Sequence, residues 1–269
     1  MKKTRIDKLC IEKGLVESRS KVQSLIMENK VLVNEVPILK ASELVDIDAL
    51  IRIKDNTQQF ISRGGLKLDK ALKQFGIKVK DKICMDIGSS TGGFTDCLLQ
   101  NGAKQVVAID VGTNQLDYKL RIDKRVVVKE KTNFRNLIFT DLNHQFDFIC
   151  CDVSFISLKH IIPNANLFLK DGQSAVFLVK PQFESDKEDV RKGKINSKEL
   201  HLKALNRVFE FFNNNNFNVE QLTYSPVLGN KKKNIEFICA VRKTKQIKQF
   251  SINQINEVIE KSWSMLLKK

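Results

Sequence analysis

Residues 84–99 read CMDIGSSTGGFTDCLL, placing Asp86, Gly88, Ser90, Gly92 and Gly93 between a short apolar run and a helical one. So many flexible positions imply that a group outside the polypeptide comes up against this backbone. Asp110 ends the next apolar run, where a carboxylate can accept hydrogen bonds from ribose hydroxyls. Together the glycines and the acid point to a nucleoside-bearing cofactor. The stretch lacks both the GxGxxG fingerprint and the Gly-Lys-Ser/Thr ending of a phosphate loop, so neither a pyrophosphate nor a triphosphate is well provided for. Asp152 and Lys180 stand at the tips of two later apolar runs, Lys67 lies near the start of the same region, and Glu236 sits in NIEFI. Charged residues flanking apolar strands are ordinary, since strands must meet water somewhere. Two of them at adjacent tips beside a cofactor are candidates for chemistry.

These residues need a scaffold, and the pattern after about residue 61 supplies one. Apolar runs at 83–87, 106–109, 126–128, 147–151 and 175–179 alternate with helical candidates at 93–101, 114–121, 157–168 and 199–213. Strands apolar on both faces predict a mostly parallel sheet covered by helices on each side, with ligands at the C-terminal strand ends. SRGGLKLDKALKQFG reads as a helix burying Leu66, Leu68, Ala71 and Leu72. FNVEQLTYS and IEFICAV, joined by PVLGNKKKN, predict a hairpin at the sheet edge. Asparagines 213–216 read as a loop, and INQINEVIEKSWSMLL as a closing amphipathic helix that either covers an edge or extends an RNA surface. The charged segment 184–202 is long for a connection and reads either as a solvated loop or as a lid beside a ligand.

The first 55 or so residues form a separate small unit. A helix over 5–13 breaks at Gly14, Ser18 or Ser20 caps a second helix burying Val22, Leu25 and Ile26, and short strands follow around a turn at Asn34–Glu35. Basic residues gather near the helix starts. The formal net charge of +15, from 46 basic and 31 acidic residues, attracts polyanions: nucleic acid first, an acidic membrane surface second. Six scattered cysteines lack zinc-ligand spacing and suit a reducing compartment. With no continuous apolar core after the basic start and no run long enough to span a bilayer, a cytoplasmic location is expected.

RIDKLCIEKGLVESRSKVQSLIMENKVLVN resembles the RNA-binding module of ribosomal protein S-four type, which implies phosphate contacts from Arg5, Lys8, Ser18, Arg19 and Lys21. DIGSSTGGF resembles the first motif of S-adenosylmethionine-dependent methyltransferases. That likeness implies a cofactor site of Asp86, Gly88, Ser90, Gly92, Gly93 and Asp110, with Asp86 toward the amino-acid end and Asp110 on the ribose. Asn133, in KTNFRNL, is either an adenine-side residue or a turn asparagine.

From residue 5 to 242 the chain is similar to the TlyA-like proteins, described both as haemolysins and as ribosomal RNA 2′-O-methyltransferases, through SRGGLKL, DVGTNQL, CDVSFISL, LVKPQFE and GNKKKNIEFI. The broader FtsJ-like group carries a Lys-Asp-Lys-Glu set that maps to Lys67, Asp152, Lys180 and Glu236. The resemblance implies a Rossmann-like α/β methyltransferase sheet covered by helices on both faces over 59–269, and a small α+β RNA-binding domain over 1–58. It implies methyl transfer from S-adenosylmethionine to a ribose 2′-hydroxyl, a cytidine being expected, in structured ribosomal RNA or a ribosomal subunit, without a metal. In that scheme Lys180, held by Asp152, stabilises the oxygen as it loses its proton, and acts as base if its pKa is lowered. Lys67 steadies the hydroxyl or a phosphate, and Glu236 orients the lysines. Two alternatives stand beside this reading: a haemolysin-type membrane-active protein, and a non-catalytic RNA-binding ribosome assembly factor. One departure is Gln58, Gln59, Phe60 and Ile61 where some relatives carry an Arg-x-Trp-Val linker.

Overall fold

Strands as apolar as ICMDI and FDFICC cannot face water, and in the computed structural model both lie inside a seven-stranded sheet. The structure describes residues 3–53, 59–229 and 232–267. The chain divides into two units, Met1–Gln59 and Phe60–Lys269; the expected boundary after residue 58 abuts residues 54–58, which lie outside the described ones.

The first unit contains β1 (Lys3–Arg5), α1 (Ile6–Glu12), α2 (Arg19–Met27), β2 (Val31–Val33), β3 (Val36–Pro37), β4 (Leu44–Asp46) and β5 (Ile51–Ile53). Ser18 caps α2, its hydroxyl accepting the Lys21 amide at 3.4 Å. Ile6, Leu9, Cys10, Val22, Leu25, Ile26, Val31, Ile38 and Val45 make its core. β2 pairs with β3 and β5, while β1 pairs with β4. The last pair is absent from the sequence reading, because three residues bearing two charges carry no alternation to detect.

The second unit opens with α3 (Gly64–Phe75) and continues through β6 (Ile83–Ile87), α4 (Gly93–Gln100), β7 (Gln105–Ile109), α5 (Tyr118–Arg121), β8 (Val126–Lys129) and α6 (Phe139–Leu142). Then come β9 (Phe146–Cys151), α7 (Ile162–Phe168), β10 (Leu169–Val179), α8 (Pro181–Glu184), α9 (Lys198–Asn214), β11 (Phe217–Tyr224), β12 (Phe237–Lys243) and α10 (Ile252–Leu266). The sheet order is β11-β12-β10-β9-β6-β7-β8. β6 to β10 are mutually parallel, and β12 runs antiparallel to both β10 and β11. Successive side chains alternate between two cores. Met85, Ile149 and Phe177 pack under α7, α9 and α10, whereas Cys84, Phe148 and Val176 pack under α3 and α4. All six cysteines are free and buried.

Several boundaries differ from the sequence reading for local reasons. The helix expected over 114–121 shrinks to α5, because the Glu130 carboxylate accepts the amides of Asn114, Gln115 and Leu116 at 2.8–3.1 Å and holds them in a loop. The segment 157–168 splits into a short 3-10 turn at Leu158–His160 and then α7, with Pro163 in its first turn. Asn213 and Asn214 still belong to α9, so the loop there begins at Asn215. The closing helix covers the main core: Ile255 and Ile259 are buried in it, and the Trp263 indole donates to His201 Nδ1 of α9 at 3.0 Å.

Candidate active site

Parallel strands bring their C-terminal tips to one edge, and antiparallel β12 starts there, since Val179 pairs with Phe237. Four charged side chains expected from the sequence are thereby brought together. Lys67 projects from the first turns of α3; Asp152 follows β9; Lys180 follows β10; Glu236 precedes β12. Lys180 is kept extended by Pro181, which ends the strand and opens α8. The groups form a chain: Glu236 to Lys67 at 2.8 Å, Lys67 to Asp152 at 3.1 Å, and Asp152 to Lys180 at 2.6 Å. Lys180 Nζ also meets the Ser154 hydroxyl at 2.7 Å.

Lys67, Lys180 and Glu236 are buried. Taking charges from water costs several kcal/mol per ion, so two cations and two anions in one dry cluster contribute little to stability and point to chemistry. Burial opposes the Lys67 charge, but Asp152 and Glu236 outweigh it and raise its pKa. Burial would likewise raise Asp152, yet Lys67 and Lys180 hold it below the ordinary carboxylate value. An ammonium has three protons. The Lys180 ammonium donates to the Ser154 hydroxyl and is ion-paired with Asp152 Oδ1, which leaves it donor capacity for a substrate oxygen.

The residues expected to hold the cofactor lie at and after the neighbouring tips of β6 and β7. Asp86 is fully buried; Oδ2 accepts the Thr95 hydroxyl at 2.7 Å, while Oδ1 has no hydrogen-bond partner among the described residues. Burial foremost, with Asp152 adding to it against the Thr95 hydrogen bond, pushes the Asp86 pKa to about 7. Asp110 accepts the amides of Ser90 at 2.8 Å and Gly112 at 2.7 Å, and each of its oxygens keeps a lone pair for a hydroxyl. Asn133 accepts the Arg135 amide at 3.2 Å and caps a short turn at Phe134–Asn136. An unsatisfied buried carboxylate oxygen beside a paired carboxylate and a glycine turn fits S-adenosylmethionine, with its ammonium and its ribose as the complementary groups.

Beyond a ligand's approach, protein packing also constrains these glycines. Gly88 has φ +80°, and a Cβ there would lie 2.8 Å from the Asp152 carbonyl oxygen. A Cβ on Gly93 would overlap the Ser62 hydroxyl and stand 2.9 Å from the Gly65 amide, because the starts of α3 and α4 cross at that point. Leu116 and Leu120 fill the space next to Gly92. Neighbouring protein atoms already demand smallness at these positions, and the turn they create lies at the C-terminal tip of β6.

Sequence reasoning missed four supporting residues: Thr95, Ser154, Glu184 and Glu130. All four lie within four positions of a residue already singled out. The carboxylate of Glu184 accepts the Ser157 hydroxyl at 2.6 Å and the Leu158 amide at 2.9 Å. Glu130, with its three loop amides and Arg121, is held down near pKa 2. Phe155, with φ +64°, is 85% exposed beside Lys180's partner Ser154, its ring 5.3 Å from that of Phe183. Among the described residues no group of three or more His, Cys, Asp or Glu gathers as a metal would require.

The FtsJ-like methyltransferase model matches residues 60–242, and the S4 domain model matches residues 4–51. The chain belongs to the FtsJ-like methyltransferase family. It is an enzyme of the S-adenosylmethionine-dependent type, with an S4 domain ahead of the catalytic sheet. "Hemolysin A" of Brachyspira hyodysenteriae is 44% identical over 87% of this chain and 98% of that protein. The "16S/23S rRNA (cytidine-2'-O)-methyltransferase TlyA" of Mycobacterium tuberculosis is 41% identical over 71% of this chain and 72% of its own. A solved structure described as "Putative hemolysin from Streptococcus thermophilus" is 41% identical, covers 98% of this chain and 97% of its own, and superposes with a TM-score of 0.79.

In the S4 unit of this methyltransferase, Lys8, Arg19 and Lys21 are exposed. Arg5 is engaged by buried Asp7 through two bonds of 3.1 and 2.9 Å, and Ser18 serves as the helix cap. Those two therefore have structural work in addition to any contact with RNA.

Proposed function

We propose that this enzyme methylates the ribose 2′-hydroxyl of a cytidine in ribosomal RNA, with Lys67, Asp152, Lys180 and Glu236 as its catalytic set. The observation that carries the reading is the buried Glu236–Lys67–Asp152–Lys180 chain at 2.6–3.1 Å. Asp86 and Asp110 hold the cofactor, assisted by the turn at Gly88, Ser90, Gly92 and Gly93, with Asn133 on the adenine side. When bound, S-adenosylmethionine supplies an electrophilic methyl group. The Lys180 ammonium faces the 2′-oxygen and stabilises negative charge as the hydroxyl proton is released to solvent. Asp152 fixes the direction of that ammonium, and Lys67, whose protonated form its two carboxylates favour, keeps Asp152 ionised. Phe155 offers an exposed ring on which a base beside the target can stack. The S4 unit contributes phosphate contacts through Arg5, Lys8, Ser18, Arg19 and Lys21. The six buried thiols suit the reducing cytoplasm, where ribosomal RNA is met.

The test is nucleoside mass spectrometry of ribosomal RNA treated with the enzyme. The wild type yields 2′-O-methylcytidine, and Lys180→Ala lowers the rate about 10²–10⁴-fold while cofactor affinity stays within a few-fold. Normal turnover by the variant would remove Lys180 from the mechanism. The membrane-active alternative has the name of the Brachyspira relative behind it. Among the described residues no helix is long and apolar enough to cross a membrane. The assembled ion-pair chain favours turnover over a non-catalytic assembly role.

A further inference from the structure

Two basic turns meet beside the catalytic chain. The first is closed by reciprocal backbone bonds between Arg191 and Lys194 at 3.1 and 3.0 Å, with Lys192 and Gly193 at positive φ. It presents Arg191, Lys192 and Lys194 to solvent. The second is closed by Gly229 donating to the Asn234 carbonyl at 2.9 Å and Lys233 donating to that of Gly229 at 3.0 Å; it presents Lys232 and Lys233. Buried Asn234 joins them: its side-chain amide donates to the Gly193 carbonyl at 2.8 Å and accepts the Ile195 amide at 3.2 Å. The Lys232 stem lies about one van der Waals contact from Gly193. The join reaches the active site directly, since a Cβ on Gly229 would stand 2.9 Å from a Glu236 carboxylate oxygen.

The acids nearby do not neutralise this cluster. Asp186 and Asp189 are taken by Lys203 and Arg207 of α9, and Glu184 is buried against Ser157 and Leu158. Glu188 is an exposed carboxylate in that segment with no ion pair among the described residues, and it faces five exposed cations in number. None of the large apolar side chains exposed on the described surface lies in either turn, so the patch lacks what an interfacial membrane contact would insert.

Resting on the methyltransferase reading above, we propose that these paired turns are a phosphate-binding rim. Through Arg191, Lys192, Lys194, Lys232 and Lys233, the catalytic unit grips the RNA backbone flanking the target ribose, independently of the S4 unit. Asn234 ties the first turn to the segment that carries Glu236, which places the rim next to the ion-pair chain.

The experiment measures binding of the full chain to purified ribosomal RNA across a salt series. One variant carries Lys192→Glu, Lys232→Glu and Lys233→Glu. A control carries the reversals Lys80→Glu, Lys104→Glu and Lys124→Glu at exposed sites outside these turns. The rim variant should bind on the order of tenfold more weakly at low salt and show a shallower log–log salt slope, by about 0.7–0.9 for each phosphate it no longer neutralises. The control should change less than threefold. Equal weakening in both would reduce the effect to net charge and overturn the rim. So would unchanged RNA binding together with abolished binding to phosphatidylserine vesicles, which would assign the patch to lipid. Binding is read without turnover, so failure of the rim is distinguishable from failure of the wild type to methylate RNA.

Discussion

Asp86 illustrates how one buried carboxylate couples a site to stability. Its folded pKa of about 7 exceeds the ordinary 3.8, so the folded state holds a proton that the unfolded chain releases. Stability is therefore greatest below about pH 4 as far as this group is concerned, and falls as pH rises through the window to about 7. Asp86→Asn removes the titration. The difference in unfolding free energy between wild type and variant should change by about 2–3 kcal/mol between pH 5 and pH 8, the wild type losing ground. Urea unfolding at the two pH values reads this directly, and a constant difference would mean that Asp86 is ionised throughout. The sequence made Asp86 and Asp110 legible because carboxylates after apolar runs are recognisable by position alone. Thr95 and Ser154 were not legible: a hydroxyl becomes a partner only when folding points it at a charge.

At the scale of elements, the active edge is assembled from pieces too short to stand alone. α8 has four residues and cannot be stable by itself. Glu184 ties it to the segment after β9 through Ser157 and Leu158, and Arg207 of α9 holds both the Glu184 carbonyl and the Asp186 carboxylate. The segment 184–202 is thus anchored at Asp186 and again at Gly193 and Ile195. By tying α8, which follows Lys180, to the segment after β9, Glu184 is expected to act as a positioning residue. Glu184→Ala should lower kcat about 10–100-fold with the KM for the methyl donor nearly unchanged, and Glu184→Gln should recover most of the rate. Steady-state kinetics would separate the cases: a rise in donor KM with intact kcat would make Glu184 a cofactor-site residue instead. The expected helix over 114–121 is shortened because the Glu130 side chain competes for the amides of residues 114–116.

At the scale of the molecule, a basic S4 unit and a catalytic sheet share a net charge of +15. Arg19, exposed at the start of α2, is expected to contact phosphate. Arg19→Glu should weaken ribosomal RNA binding several-fold at low salt while leaving methyl-donor binding and melting temperature unchanged; equal RNA affinity in calorimetry would remove the S4 unit as a grip. The amino-acid sequence by itself determined the alternation of strands and helices and the fold class, and it singled out the four charged residues as candidates. Periodicity and strand-end position are local properties, carried by neighbours along the chain. Only the tertiary structure decided that residues 67, 152, 180 and 236 touch, that glycines 88 and 93 make room for protein, and that Asn234 joins two basic turns. Those contacts link positions from about 25 to 170 residues apart, and their geometry is set by sheet order and strand register, which the packing of the whole core selects.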